Sequence, residues 1–205
     1  MAGLPSDAQT LNEGLTSVSQ VLSEAGCEHF LFFGSLLGIN RDNSAIHGDD
    51  DVDIYVNAKH REKATDAIIS SELNLERTER AHVGNVFAQF KGTLKYSKAP
   101  IQIDLYFYDS DTDSDFILER WNFMGRPDLK NKVLKIPKVF IFPLKEVCFQ
   151  DVSLYLPKLP DVVCEFLYGV NWRSPARKGL DYTVQVVGGR PLRIQNVNNH
   201  ITILD

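Results

Sequence analysis

The run Asp49-Asp50-Asp51-Val52-Asp53-Ile54-Tyr55-Val56 constrains this chain more than any other segment, because it builds carboxylates into a strand. From Asp51 to Val56 the residues alternate with the period of a β-strand and are rich in strand formers. Alternating faces direct Asp51, Asp53 and Tyr55 one way and Val52, Ile54 and Val56 toward a core. Two carboxylates then converge on one patch and repel each other. A hard divalent cation, Mg²⁺ or Mn²⁺, which prefers oxygen ligands and keeps positions open for water and phosphate, resolves that conflict. An exposed acidic strand end is the other reading of Asp-x-Asp taken alone.

A second strand bears on the choice. Ile101-Gln102-Ile103-Asp104-Leu105-Tyr106-Phe107-Tyr108 also alternates, with Ile101, Ile103, Leu105 and Phe107 on the apolar face. Asp104 shares the opposite face with Gln102 and Tyr106, and an acid in so apolar a strand is costly to desolvate without compensation. It is expected to be a third metal ligand or a general base, the alternative being a carboxylate paired with a lysine or arginine. Upstream, Gly34 and Ser35 follow the apolar run His29-Phe30-Leu31-Phe32-Phe33 and precede Leu36-Leu37-Gly38-Ile39. Strand, tight turn and short helix are expected there, where glycine permits close backbone approach, serine offers a hydroxyl and helix N–H groups attract phosphate.

These residues carry a resemblance. Gly34-Ser35-Leu36-Leu37-Gly38, Arg41, Ile46 and Asp49-Asp50-Asp51-Val52-Asp53 together are similar to the signature of the LicD family, within the nucleotidyltransferase fold superfamily. Later, Phe142-Pro143-Leu144-Lys145-Glu146-Val147, Phe149, Leu156-Pro157 and Leu167-Tyr168-Gly169-Val170-Asn171-Trp172 with Pro175 resemble that family's C-terminal pattern. The resemblance spans roughly Leu31 to Pro175. It implies an α+β fold, a nucleotidyltransferase-like mixed β-sheet with helices packed on one side. It also implies catalytic and metal-binding roles for Asp51, Asp53 and Asp104, with support from Asp49. Gly34, Ser35 and Arg41 are implied at the phosphate, where a guanidinium binds in a bidentate fashion, and a structural salt bridge is the other role for Arg41. Trp172 either closes over donor or acceptor or packs in the core. One departure is His47-Gly48, where the family usually has Pro-Trp before its acidic run; it bears on the identity of donor or acceptor more than on reaction type.

A chain of 205 residues with 43% hydrophobic content can bury a full core. One catalytic domain over residues 1–205 is expected, its core about 29–175. A net charge of −5 argues against a nucleic-acid-binding surface. Arg173, Arg177 and Lys178 form a local basic cluster that meets an anionic ligand or simply solvates a helix end. Cys27, Cys148 and Cys164 are widely spaced, without a zinc or disulfide pattern, and fit a reducing compartment. The polar N-terminus and the absence of a run of ~20 apolar residues predict a cytoplasmic protein with no transmembrane segment.

Along the chain, Ser6-Asp7-Ala8-Gln9 reads as a capping box for an amphipathic helix with Leu11, Leu15, Val18 and Leu22 on its buried side, ending at Gly26. Asn57 is expected to cap a second helix from Ala58 to Ser71 that buries Ala64, Ala67 and Ile68. Strands are expected at Leu73–Thr78 and Val86–Lys91, and a short helix after Asp161 with Val162, Val163, Phe166 and Leu167, ending at Gly169. A C-terminal β-like extension turns at Gly188-Gly189. Asp109-Ser110-Asp111-Thr112-Asp113-Ser114-Asp115 fails as a calcium loop, having Ser114 where glycine is needed and Arg120 where glutamate belongs.

The expected activity, by resemblance, is transfer of a phospho-alcohol of phosphocholine, ribitol phosphate or glycerol phosphate type from a CDP-linked donor to a hydroxyl of a glycan, with Mg²⁺ or Mn²⁺ as cofactor. The alternatives are a nucleotidyltransferase placing a nucleoside monophosphate on a small molecule or protein, and a non-catalytic nucleotide-binding module.

Overall fold

The first helix, α1 (Ala8–Glu24), is started by Asp7, whose carboxylate accepts the N–H of Thr10 at 2.8 Å. The cap falls one residue later than the Ser6 of the capping-box pattern. The helix buries Leu11, Leu15, Val18 and Leu22 as the 3.6-residue period requires, and Gly26 then turns the chain with φ +61°. The computed structural model described here covers residues 6–78, 86–95, 98–110, 114–119, 133–175 and 202–204.

Five strands form the central sheet: β1 (His29–Leu31), β2 (Val52–Asn57), β3 (Leu75–Arg77), β4 (Phe87–Thr93) and β5 (Pro100–Tyr108), in the order β1-β2-β5-β4-β3. β2 and β5 run parallel, and the other neighbours are antiparallel. The parallel pair needs a crossover, supplied by a 3₁₀ turn (Ala58–His60), α3 (Arg61–Ser70) and the β3–β4 hairpin. Asn57 caps that 3₁₀ turn by accepting the Lys59 N–H at 3.2 Å, so the expected second helix begins as a tighter 3₁₀ turn and widens into α3 only at Arg61.

Helix α1 lies over Ile101 and Ile103. A Cβ on Gly14 would come within 3.0 Å of Ile101, so the glycine permits that approach. The opposite face carries an aromatic layer in which Tyr55 stacks on Phe32 at 3.9 Å and Phe33 meets Tyr55 and Tyr106 edge-on. Phe33 and Phe32 come from the start of α2 (Phe33–Asp42) and the residue before it. Tyr55 is therefore fully buried, and every residue of β2 is buried. Tyr55 shares the face of Asp53, as alternation predicts, but that face is covered as well as the one carrying Val52, Ile54 and Val56: β2 is a central strand buried on both sides, so alternation here separates two interiors.

β6 (Phe116–Glu119) pairs with β7 (Val133–Pro137), which also pairs with β10 (Thr202–Leu204). A short helix α4 (Lys138–Ile141) leads to the hairpin of β8 (Lys145–Phe149) and β9 (Val152–Leu156), whose Tyr155 ring meets His29 edge-on. The last described helix, α5 (Pro160–Tyr168), buries Val163 and Leu167 while Val162 is exposed, and it docks on α2 through the Asn40 amide, which donates to Asp161 at 2.9 Å. The architecture is the α+β mixed sheet expected. No helix among the described residues is long and apolar enough to cross a membrane. The turn at Gly188-Gly189, the residues Arg177 and Lys178, and the middle of the Asp109–Asp115 run lie outside the described residues.

Candidate active site

Register creates the site. Parallel pairing sets Asp53 opposite Asp104, and antiparallel pairing sets Gln89 on the far side of Asp104. In the rows to either side, Tyr55, Tyr106 and Phe87 face each other, as do Gln102 and Lys91. Asp51 precedes β2 and accepts the Gln102 amide at 3.2 Å, completing the Gln102–Lys91 row. Polar rows therefore end where the aromatic layer begins, and the carboxylates sit on that boundary.

Asp53 is held at four points. Its carbonyl accepts the Phe32 N–H at 3.2 Å and its own N–H donates to Ser35 Oγ at 2.9 Å. Its carboxylate accepts the Gly34 N–H at 3.1 Å on Oδ2 and the Tyr106 hydroxyl at 3.0 Å on Oδ1. Asp104 accepts the Gln89 amide at 3.0 Å. Both acids are only 6% exposed. Burial, then the charges of Asp51, Asp49 and Asp104, push the Asp53 carboxyl well above the ordinary carboxylate range, with the Tyr106 hydrogen bond pulling the other way.

The residues fit a divalent cation. Asp51, Asp53 and Asp104 each offer an oxygen, all within 4.8 Å of one another, and Asp49, Asp50 and Asp51 form a second such group. An all-oxygen donor set suits Mg²⁺ or Mn²⁺, and a cation placed there would offset the repulsion that raises Asp53.

Gly34 works by lacking a side chain. It lies in the first turn of α2, and a Cβ there would stand 2.3 Å from Asp49 Oδ2 and 3.4 Å from Asp53 Oδ2. The expected tight turn is made by Phe33, at φ 41°, and the Gly34 N–H is directed to Asp53 and not outward to a phosphate. Gly38 has a related part: a Cβ would lie 2.5 Å from the Ser44 carbonyl, so it lets the loop returning toward Asp49 pass close to α2. That loop is pinned at its end by Ser6, whose N–H donates to the Asp49 carbonyl at 2.9 Å and whose carbonyl accepts the Gly48 N–H at 3.0 Å. Gly48 has φ +84°, which favours glycine over the family's usual tryptophan at that position, and His47 beside it is exposed.

The sequence model of the LicD/FKTN/FKRP nucleotidyltransferase domain matches residues 26–159. The chain belongs to that family. No curated protein matches its sequence. Among solved structures, this LicD-family chain is similar to a lincosamide antibiotic adenylyltransferase, LnuA, with lincomycin bound, at 11% identity and TM-score 0.47 over 69% of this chain and 77% of that one. It is also similar to an antigenic nucleotidyltransferase-like protein from Paracoccidioides brasiliensis, at 12% identity and TM-score 0.46, covering 75% of this chain and 62% of that one.

Of the residues that the LicD resemblance singles out, Gly34, Ser35, Asp49, Asp51, Asp53 and Asp104 come together. Arg41 lies at the other end of α2, about two turns from Gly34, with its guanidinium 2.7 Å from Asp42. Trp172 follows α5, is 4% exposed, and has the Arg173 guanidinium 4.1 Å above its ring; Arg173 also pairs with Asp161 at 2.5 Å. Three residues at the site had no role in the sequence reading: Tyr106, Gln102 and Gln89. The first two were visible as residues two apart from Asp104 on one face, whereas Gln89 enters only through strand register. A cavity of about 180 Å³ is lined by Ser6, Asp50, Lys91, Gly92, Ile101 and Gln102 among others, and so meets the acidic run at Asp50.

Proposed function

We propose that the chain is a single catalytic domain, a metal-dependent phosphotransferase that moves a phospho-alcohol group from a CDP-linked donor to a hydroxyl of a glycan. The observation that carries this reading is the register of Asp53 with Asp104 beside Asp51, three oxygen donors on one boundary of a nucleotidyltransferase-family sheet. Asp51, Asp53 and Asp104 hold the cation, with Asp49 in support. When bound, Mg²⁺ or Mn²⁺ supplies charge neutralisation at the transferring phosphoryl group and at the departing nucleotide.

The chain's own residues do the rest. The acceptor oxygen forms a bond to the donor phosphorus as the phosphorus–oxygen bond to CMP breaks, and CMP leaves with the electron pair. Asp104, its Oδ1 fixed by Gln89, takes the acceptor's proton. Asp53 is kept in place by Gly34, Ser35 and Tyr106. The free thiols of Cys27, Cys148 and Cys164 accord with a reducing, cytoplasmic setting.

The test is incubation with CDP-, UDP- and nucleoside triphosphate donors and a sugar acceptor, with Mn²⁺ or Mg²⁺, following nucleotide release and product mass. The expected product gains a phospho-alcohol and releases CMP. An acceptor that gains a nucleotide replaces this reading with nucleotidyl transfer. If calorimetry finds neither chelator-sensitive cation binding nor nucleotide binding, the chain is a non-catalytic module.

A further inference from the structure

Each carboxylate of the trio accepts a hydrogen bond from a neutral donor, and two of these donors are glutamine amides. Gln102 Nε2 reaches Asp51 Oδ2 at 3.2 Å, and Gln89 Nε2 reaches Asp104 Oδ1 at 3.0 Å. Both glutamines are buried, on strands β5 and β4, and so are fixed by the sheet itself. An amide restricts the rotation of a carboxylate without adding positive charge, so it leaves the acid's charge available to a cation. An arginine in the same place would orient the acid and also oppose the ion.

The two amides differ in their other arm. Gln89 Oε1 accepts the Thr78 hydroxyl at 3.3 Å, so both arms are used. Gln102 is 7% exposed, and its Oε1 is buried with no partner among the described residues. A glutamine kept only for packing would carry an avoidable desolvation cost.

We propose that Gln102 and Gln89 are positioning residues, which orient Asp51 and Asp104 so that one oxygen of each, together with one of Asp53, can reach a shared divalent cation. The proposal rests on the metal reading above. A packing role and a positioning role part company at Gln102, because replacing it with an apolar side chain of similar volume removes the orphaned carbonyl while it takes the amide donor from Asp51.

The experiment is Gln102→Met, melted in chelator and titrated with Mn²⁺ by calorimetry. The expected result is a melting temperature in chelator at or above that of the unaltered protein, with Mn²⁺ dissociation weakened about 10- to 100-fold. Gln89→Met should weaken Mn²⁺ similarly but melt lower, since it strands Thr78. Should Gln102→Met fail to fold, Gln102→Asn withdraws the amide by one methylene while keeping its polarity, and the same loss of Mn²⁺ affinity is expected. Unchanged Mn²⁺ affinity in a folded Gln102 variant overturns the proposal and leaves the metal site standing. Absence of Mn²⁺ binding by the unaltered protein overturns the metal site and the proposal together.

Discussion

Replacing Gly34 with alanine separates the stability of the fold from the geometry of its acids. Gly34 does not have positive φ, so alanine can adopt the backbone, and in a helix it is favoured over glycine by at most about 1 kcal/mol. Against that stands the 2.3 Å approach of the new Cβ to Asp49 Oδ2. An ordinary carbon–oxygen separation requires the carboxylate to retreat by about 1 Å. Asp49 is half-buried on a loop, so rotation of its short side chain can supply the movement, at roughly 0.5–1.5 kcal/mol if it leaves its rotamer. The two effects nearly cancel, and Asp49 also moves relative to the charges that raise Asp53. Gly34→Ala is therefore expected to melt in chelator within a few degrees of the unaltered protein, as follows from a difference of about 1 kcal/mol or less. Its Mn²⁺ affinity should fall about tenfold or more, as for displaced supporting groups at metal sites. In an Asp49→Ala background the same substitution should have no further effect on Mn²⁺, since the clashing group is gone. Additive losses would refute the reasoning, because Gly34 would then act through something other than room for Asp49. So would a chelated protein destabilised by several kcal/mol, which would mean that the contact is not relieved by rotation.

Asp104→Asn should fold and melt normally in chelator, since it removes one of the charges raising Asp53 and keeps an acceptor for Gln89, while turnover falls about 10²–10⁴-fold; near-normal transfer by the folded variant would remove Asp104 from the mechanism. Trp172→Phe should lower the melting temperature and leave nucleotide affinity unchanged, because Trp172 is buried under Arg173 and docked beside α5; a stable variant with weak substrate binding would place the indole at the ligand instead. His29 is 2% exposed, donates through Nδ1 to the Cys27 carbonyl at 2.8 Å, and is held below the ordinary histidine range by burial, with that bond opposing. The unfolded chain thus takes up a proton that the native state resists, so stability present above about pH 6.5 should be lost as pH falls below it. Denaturant melts of the unaltered protein and His29→Phe at pH 7.5 and 5.5 test this; equal losses in both would exclude His29 as the source.

The acids were legible because the period of two in Asp51–Val56 and Ile101–Tyr108 marks a face in either strand without knowledge of its neighbours. What the period cannot say is whether a face meets water. Tyr55 shares the face of Asp53, and there Phe32 and Phe33 cover it, because β2 lies between β1 and β5 with layers on both sides. Gln89 was illegible for a different reason: nothing local to Phe87–Thr93 reveals that this residue, and not its neighbour, stands opposite Asp104, and a slip of one residue would turn it to the other face. Arg41 illustrates a third limit, since its spacing from Gly34 is that of one continuous helix, and a helix carries a residue seven positions on about 10 Å along its axis.

The Gly34-Ser35 pair lies beside the acids for a reason that its residue types do not display. Glycine was expected to let the backbone approach a ligand at a tight turn, yet the turn's positive φ belongs to Phe33, a residue for which that conformation is costly. Its ring is held edge-on by Phe32, Tyr55 and Tyr106, so the aromatic layer fixes the backbone that a glycine would otherwise have been needed to permit. With the turn made one residue early, the N–H of Gly34 and the hydroxyl of Ser35 fall against Asp53, and the missing Cβ becomes space for Asp49. Packing of four aromatic rings on one side of the sheet thus determines where two carboxylates stand on its polar edge. Enlarging or removing the Phe33 ring should therefore disturb Mn²⁺ binding through Gly34 and Asp53, although Phe33 itself offers no ligand atom.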